Sequence, residues 1–238
     1  MNKLNSFEQV TAVVLAGGLG TRLSAVVNDR PKVLAEIGGK PFLAYLLDFL
    51  SISGIHAVVL CTGFLGEQIR MRFGEKYGNL NLNYSQESSP LGTAGALRLA
   101  LPLVKSESVL IMNGDSFCDA NLKIFWEWHS SHGADASMLL VEMSDTRRFG
   151  RVVTSADGLV LRFDEKNDEG LPGFINAGIY LIKRRLLWEI PEDGSVSIER
   201  EIFPGWVGQR LFGYICKARF IDIGTPESYA SATEFFSL

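Results

Sequence analysis

Along its first half the chain alternates short apolar runs with amphipathic stretches of helical period. Residues 10–15, 57–61 and 108–112 are runs of strand length rich in Val, Leu and Ile, the pattern of strands in a buried sheet, and residues 80–85 read as a further strand. Between them, residues 41–53 place Phe42, Leu43, Leu46, Leu47 and Leu50 on one face and stop at Gly54, as a helix covering a sheet does. Residues 65–73, 92–101 and 122–131 repeat the helical pattern. Strand and helix in alternation predict a Rossmann-like α/β fold with a mixed, mainly parallel sheet flanked by helices. Ligands of such sheets lie beyond the carboxyl ends of the strands.

From residue 136 onward strands follow one another, over 136–141, 151–154, 160–165 and 174–182, with turn chemistry such as Ala156-Asp157-Gly158 between them. Helices over 184–190, 198–203 and 226–235 are expected around a late strand pair at 211–217 and 220–222. No linker, repeat or low-complexity tract interrupts the chain, so residues 1–238 are expected to form one domain whose halves, about 10–135 and 136–238, share one sheet.

Composition agrees with this. A chain of 238 residues that is 47% hydrophobic can bury a large core. No apolar run is long enough to span a bilayer, and residues 1–9 lack a signal peptide's basic and apolar regions, so a cytoplasmic protein without membrane partners is expected. Cys61, Cys118 and Cys216 are widely spaced and odd in number, which reads as reduced thiols. A net charge of −4 argues against a nucleic-acid surface but leaves room for an anionic small substrate met by local cations.

Those cations stand where the first strand ends. Leu15-Ala16-Gly17-Gly18 and Gly20 let the backbone turn sharply and approach a ligand, Thr21 and Arg22 follow at once, and Lys32 comes ten positions after Arg22. Amides, a guanidinium and an ammonium can thus converge on one polyanion, which we take to be a nucleoside triphosphate. A Walker loop would need Gly-Lys-Ser or Gly-Lys-Thr where Gly20-Thr21-Arg22 stands, and a dinucleotide fingerprint needs a small residue where Leu23 stands.

Gly-Gly-Leu-Gly-Thr-Arg-Leu at 17–23 with Arg-Pro-Lys at 30–32 resembles the signature of the sugar-1-phosphate nucleotidyltransferases, the NDP-sugar pyrophosphorylases. The resemblance runs from Val10 to about Ala232, through P-L-G-T-A-G-A, N-G-D, F-G-R-V, E-K, N-A-G-I-Y and I-D-I-G-T-P. In its short form and motif order the chain is most similar to the D-glycero-D-manno-heptose 1-phosphate guanylyltransferases. The resemblance implies a GT-A-like fold, a nucleotide-binding first half and a sugar-phosphate-binding second half. It further implies transfer of a nucleoside monophosphate to a sugar 1-phosphate, with pyrophosphate released and an NDP-sugar formed for surface-glycan biosynthesis in lipopolysaccharide, capsule or S-layer. Val33 departs from the proline that often follows Pro31-Lys32, and Cys61-Thr62-Gly63-Phe64 departs from the usual Gly-Tyr. The chain ends at Leu238, short of the β-helix or regulatory tail of longer relatives, so control through such a domain is not expected. A homo-oligomer is left open.

Each further motif has a physical reading. The strand ending at Ser85 delivers Glu87 to the sheet edge, and Gly92, Thr93 and Gly95 open a helix whose amides can sit close to a base or ribose. Guanine offers two adjacent donors that a carboxylate accepts as a pair, so Glu87, which the resemblance places at the base-reading position, favours GTP. Gln86 is the alternative reader. Asp115, in Asn113-Gly114-Asp115, follows an apolar strand and suits a hard divalent cation; Asp222, before Gly-Thr-Pro, is its match from another strand end or else a helix cap. In the resembled family this pair holds Mg²⁺. The resemblance also assigns Gly150, Glu165, Lys166 and Asn176 to the sugar phosphate: Gly150 admits a ring to the backbone, Glu165 accepts hydroxyls, Lys166 holds the phosphate and Asn176 offers its amide.

Other tempting residues have plainer readings. Asp119 reads as a helix N-cap, His129 and His132 lack a third metal ligand, and Phe125, Trp126 and Trp128 cover the sheet. Arg147, Arg148 and Lys183 to Arg185 read as solvated charge, with Arg147 or Arg148 within reach of the sugar site. Ser197-Ile198-Glu199 resembles a family segment without a derivable role. A sugar 1-phosphate is already largely anionic at neutral pH, its second pKa being near ~6, so the reaction needs no general base. Arg22, Lys32, Asp115 and Asp222 then act by positioning and electrostatics. The same reaction with UTP, dTTP or CTP and a hexose 1-phosphate such as mannose or glucose 1-phosphate stays open, as does a non-catalytic binding module.

Overall fold

The computed structural model of the chain describes residues 6–18, 29–165 and 170–237. In chain order its elements are β1 (Thr11–Leu15), a small hairpin of β2 (Glu36–Ile37) and β3 (Lys40–Pro41), α1 (Phe42–Ile52), β4 (Ala57–Thr62), α2 (Gly66–Phe73), β5 (Lys76–Tyr77), β6 (Leu80–Gln86) and α3 (Gly92–Ala100). There follow β7 (Ser108–Asn113), β8 (Ser116–Cys118), α4 (Leu122–Ser131), β9 (Ala136–Met143), β10 (Gly150–Thr154), β11 (Val160–Glu165) and β12 (Gly173–Lys183). The chain closes with α5 (Arg184–Leu187), a wide helical turn over Ile198–Ile202, α6 (Phe203–Trp206), β13 (Leu211–Ile215), β14 (Phe220–Asp222) and α7 (Pro226–Ser237).

Ten strands form one sheet, in the order β11-β10-β12-β7-β1-β4-β6-β5, with β9 added to β12 and β13 to β9. The nucleotide half is parallel: β1 lies between β4 and β7, in register Leu15 to Cys61 and to Asn113. β1 is apolar on both sides because both are covered; Ala12 and Val14 join one core cluster and Val13 the other. β12 is the seam, pairing antiparallel with β7 and β10 and along its length with β9, across a register shift between Asn176 and Tyr180. The two halves therefore share one sheet.

Some expectations are corrected. The strands at 211–215 and 220–222 do not pair with each other: β13 runs parallel to β9, and β14 pairs antiparallel with β8 in a separate two-stranded ladder. β8 is only three residues long and gave no periodic signal, so its partner could not be inferred. The helix expected over 184–190 closes after one turn, its end tightened as the Trp188 and Glu189 amides donate to the Arg185 and Leu186 carbonyls three residues back. Residues 198–203 wind into the wide turn, and α6 takes Pro204 in its first turn, where an amide has no partner to lose. Among the described residues no helix is long and apolar enough to cross a membrane.

Candidate active site

The carboxyl ends of the parallel strands open into a cavity of about 470 Å³. Of the expected nucleotide-side residues, Leu15, Ala16, Gly17, Gly18, Lys32, Glu87, Gly92, Thr93 and Asp115 all line it. Gly20, Thr21, Arg22 and Lys166, and the side chain of Glu165, lie outside the described residues.

Glu87 follows β6 and faces inward, whereas Gln86, one position earlier on the pleat, is exposed. Its Oε2 accepts the Leu91 amide at 3.1 Å. Its Oε1 occupies the space above two bare backbones: a Cβ at Gly17 would lie 3.2 Å from it, and one at Gly63 2.8 Å. Both glycines are thus needed for the carboxylate to reach the cavity. Burial pushes the Glu87 carboxyl above its usual range, with the Leu91 amide opposing. A partly desolvated carboxylate held through one oxygen by a backbone amide is suited to accept a pair of adjacent donors.

The start of α3 corrects an expectation. Its amides were expected to face the nucleotide, yet those of Ala94 and Gly95 donate to the Val196 carbonyl at 2.9 and 3.4 Å. Gly92, at φ +72°, is bare because a Cβ would lie 2.4 Å from that same carbonyl oxygen, and a Cβ at Gly95 would lie 2.8 Å from the Leu91 Cβ. These glycines serve close packing of the chain against itself. Gly92 and Thr93 still reach the cavity wall.

Asp115 and Asp222 are brought side by side by the β8–β14 ladder, in which Asp222 pairs with Ser116 and the Ile223 amide donates to the Asp115 carbonyl at 2.9 Å. Lys32 Nζ donates to Asp115 Oδ2 at 2.7 Å. Asp222 Oδ1 accepts the Gly224 amide and Arg148 Nη2, both at 3.0 Å. Asp222 makes a turn, while Thr225 caps α7 by accepting the Ser228 amide at 3.3 Å, so Asp222 is not the helix cap. Burial and then the charge of Asp115 hold the Asp222 carboxyl above its usual range, with Lys32, Gly224 and Arg148 opposing. Two adjacent like-charged oxygen donors fit a divalent cation. Among the described residues no cluster of three or more His, Cys, Asp or Glu is placed to hold a metal. Two protein ligands, with other positions left for water and phosphate oxygens, suit Mg²⁺.

The expected sugar side is less open. A Cβ at Gly150 would lie 3.0 Å from the Phe163 ring, so the bare position admits a neighbouring aromatic ring, not an empty slot for a sugar. Asn176 sits at the β12 register shift with its side chain engaged: Nδ2 donates to Tyr180 Oη at 2.7 Å and Oδ1 accepts the Gly178 amide at 3.0 Å. Gly178, at φ +73°, faces Asn113 and Ser116, which leave no room for a Cβ.

Among the remaining candidates, Asp119 is not the helix cap. Asn121 caps α4 through the Ile124 amide at 3.0 Å, and Asp119 accepts the amide and Nε of Arg219, each at 2.7 Å. His129 is buried beside Ser137 Oγ at 2.8 Å, and Phe125, Trp126 and Trp128 pack on Tyr214 and Phe7, as expected of sheet cover. Lys183 and Arg185 are not free surface charge but pair with Asp135, and Arg184 donates to the Val104 carbonyl. Arg148, read from the sequence as solvated charge or as a neighbour of the sugar site, instead bonds Asp222. A basic pair just before Phe-Gly-Arg is the one signal that pointed to it.

Residues 11–237 match the Nucleotidyl transferase family. The chain is 37% identical to the D-glycero-alpha-D-manno-heptose 1-phosphate guanylyltransferase of Aneurinibacillus thermoaerophilus, over 93% of this chain and 96% of that protein. It is 35% identical to the mannose-1-phosphate guanylyltransferase of Mycobacterium tuberculosis, over 93% of this chain and 63% of that longer protein. Its fold is similar to the crystal structure of HddC from Yersinia pseudotuberculosis, with a TM-score of 0.85, 34% identity and coverage of 95% and 99%. HddC has also been solved complexed with GMP-PN. With the family matched across nearly its whole length, the chain belongs to the nucleotidyl transferases.

Proposed function

We propose that the protein transfers guanosine monophosphate from GTP to D-glycero-α-D-manno-heptose 1-phosphate, releasing pyrophosphate and forming a GDP-heptose for surface-glycan biosynthesis. The observation that carries this reading is the convergence of Gly17, Gly18, Lys32, Glu87 and Asp115 on one cavity. The identities to guanylyltransferases, and the name of the first of them, support the base and the sugar. Mannose 1-phosphate is the second acceptor to consider, on the 35% identity to its guanylyltransferase.

In this reading Glu87 accepts N1–H and N2–H of guanine, and the glycine turn after β1 lies along the triphosphate. Arg22, assigned by its place in the motif, holds the departing phosphates. Lys32 and Lys166 balance charge on the triphosphate and on the acceptor phosphate. A phosphate oxygen of the sugar 1-phosphate attacks the α-phosphorus in line, the bond to the β-bridging oxygen breaks, and pyrophosphate leaves with that electron pair. That oxygen is already anionic at neutral pH, so the protein's work is to bring anions together and hold them aligned. Asp115 and Asp222 would hold Mg²⁺, which supplies further neutralisation of the phosphates when bound.

The test is Asp115→Asn. An enzyme loses pyrophosphate release by about 10²-fold or more while still binding GTP. A binding module would have no release to lose, and wild-type protein without turnover would decide for that alternative.

A further inference from the structure

Ser197, Ile198 and Glu199 sit where α3 meets β12. The Glu199 carboxylate collects hydroxyl donors from three parts of the chain. Its Oε2 accepts from Thr93 Oγ1 at 2.9 Å and from Ser197 Oγ at 3.1 Å, and its Oε1 accepts from Tyr180 Oη at 3.3 Å. Thr93 Oγ1 itself accepts the Ile198 amide at 2.8 Å, and Tyr180 Oη accepts from Asn176 Nδ2 at 2.7 Å. Tyr180 is fully buried, so its hydroxyl has no water to turn to if Glu199 is removed. The bonds run without a break from Thr93, on the cavity wall, to Asn176, at the β12 register shift.

A carboxylate at this junction is a poor choice for stability alone. Glu199 is only half-buried, and a partly exposed carboxylate whose partners are neutral hydroxyls adds little net stability. What the carboxylate adds is direction: it fixes the rotamers of three hydroxyls and thereby the spacing of the segments that bear them. We propose that Glu199, with Tyr180 as its relay, is a positioning residue that sets the distance between the α3 end of the cavity, on the side assigned to the nucleotide, and the Asn176 end of β12, which the sequence resemblance assigns to the sugar phosphate. This inference rests on the function proposed above.

Misplacement by about 1 Å can lower turnover by ~10²-fold, so the effect should appear in alignment of the acceptor and not in reading of the base by Glu87. The experiment measures pyrophosphate release from GTP and D-glycero-α-D-manno-heptose 1-phosphate for wild type, Glu199→Ala, Glu199→Gln, Tyr180→Phe and the double variant Glu199→Ala with Tyr180→Phe. Thermal melts and calorimetric binding of GTP and of the sugar phosphate accompany it. Glu199→Ala should lower kcat/KM for the sugar phosphate by about 30- to 100-fold and weaken sugar-phosphate binding, with GTP affinity within about threefold of wild type. Glu199→Gln should recover part of the loss. The double variant should be no worse than Glu199→Ala, because the two residues act through one path. A folded Glu199→Ala protein with wild-type kcat and acceptor KM, a loss confined to the melting temperature, or a double variant that multiplies both single losses would overturn the proposal. Absence of pyrophosphate release in the wild type would contradict the proposed function; unchanged sugar-phosphate affinity in Glu199→Ala would contradict the network, with or without turnover.

Discussion

Replacing Glu87 with Gln tests the reading of the base, because the protein dictates how the new amide must sit. The Leu91 amide donates to Glu87 Oε2 at 3.1 Å, so the Gln carbonyl oxygen must face Leu91 and its NH₂ must take the other position. That position lies above Gly17 and Gly63 and is the one that meets guanine in the proposed reading. The substitution therefore removes a charge-assisted acceptor and sets a donor against the N1–H and N2–H donors of the base. Hydrogen bonds to a charged group contribute about 1.5–3 kcal/mol each. Taking about 3 kcal/mol for the lost pair gives a decrease of roughly 150-fold in kcat/KM for GTP. The assay compares GTP with ITP, which lacks the 2-amino group, at saturating sugar 1-phosphate. Wild type should prefer GTP by about tenfold, and the variant should bring that ratio close to one. Because burial raises the Glu87 carboxyl, the preference should also fade in wild type as pH is lowered through it, protonation taking away one acceptor. A variant with wild-type kcat/KM for GTP and an unchanged GTP to ITP ratio would refute the assignment.

Three further outcomes are expected. Mg²⁺ should raise the melting temperature of the wild type by relieving the charge that Asp115 and Asp222 impose on each other, and Asp222→Asn should abolish that shift and lower turnover by about 10²-fold or more; equal Mg²⁺ shifts in both proteins would count against the metal pair. Gly92→Ala places a Cβ 2.4 Å from the Val196 carbonyl oxygen at a φ of +72°, so a loss of about 3 kcal/mol, or about 6–12 °C in melting temperature, is expected by calorimetry. Burial, with help from Lys183, pushes His129 down to about 4, so between the ordinary value of 6.5 and 4 the unfolded chain takes up a proton that the folded one excludes. Stability should fall as pH drops through that window, by at most ~1.4 kcal/mol per pH unit, and His129→Gln should flatten the slope; an unchanged slope would place the titration elsewhere.

Much of the fold was legible because its strongest signals are local. Val13, Val14 and their counterparts in β4 and β7 are apolar in unbroken runs, and α1 carries a clear apolar face. The partners of β13 and β14 were not legible, since pairing is a long-range choice and Ser116–Cys118 is too short to carry a pattern. At the site, Lys32, Glu87 and Asp115 were readable from motif spacing, and the cavity gathers them. The glycines were the weakest guide. Gly92 and Gly150 look like openings for a ligand in the sequence, yet each is bare because Val196 or Phe163 approaches it. A sequence records that a Cβ is absent and not which neighbour requires the space. Arg148 was ambiguous for a related reason: its partner Asp222 lies 74 positions away and meets it only through the fold.

The most direct measurement of the central claim is product identification. The protein, GTP, D-glycero-α-D-manno-heptose 1-phosphate and Mg²⁺ are incubated together, pyrophosphate is quantified, and the nucleotide sugar is identified by mass, with UTP, dTTP, CTP and mannose or glucose 1-phosphate in parallel. Pyrophosphate and GDP-heptose in equimolar amounts, formed faster than any other pair, is the predicted result. Release of pyrophosphate from no pair would contradict the account, and a faster reaction with a nucleotide other than GTP would contradict the role given to Glu87.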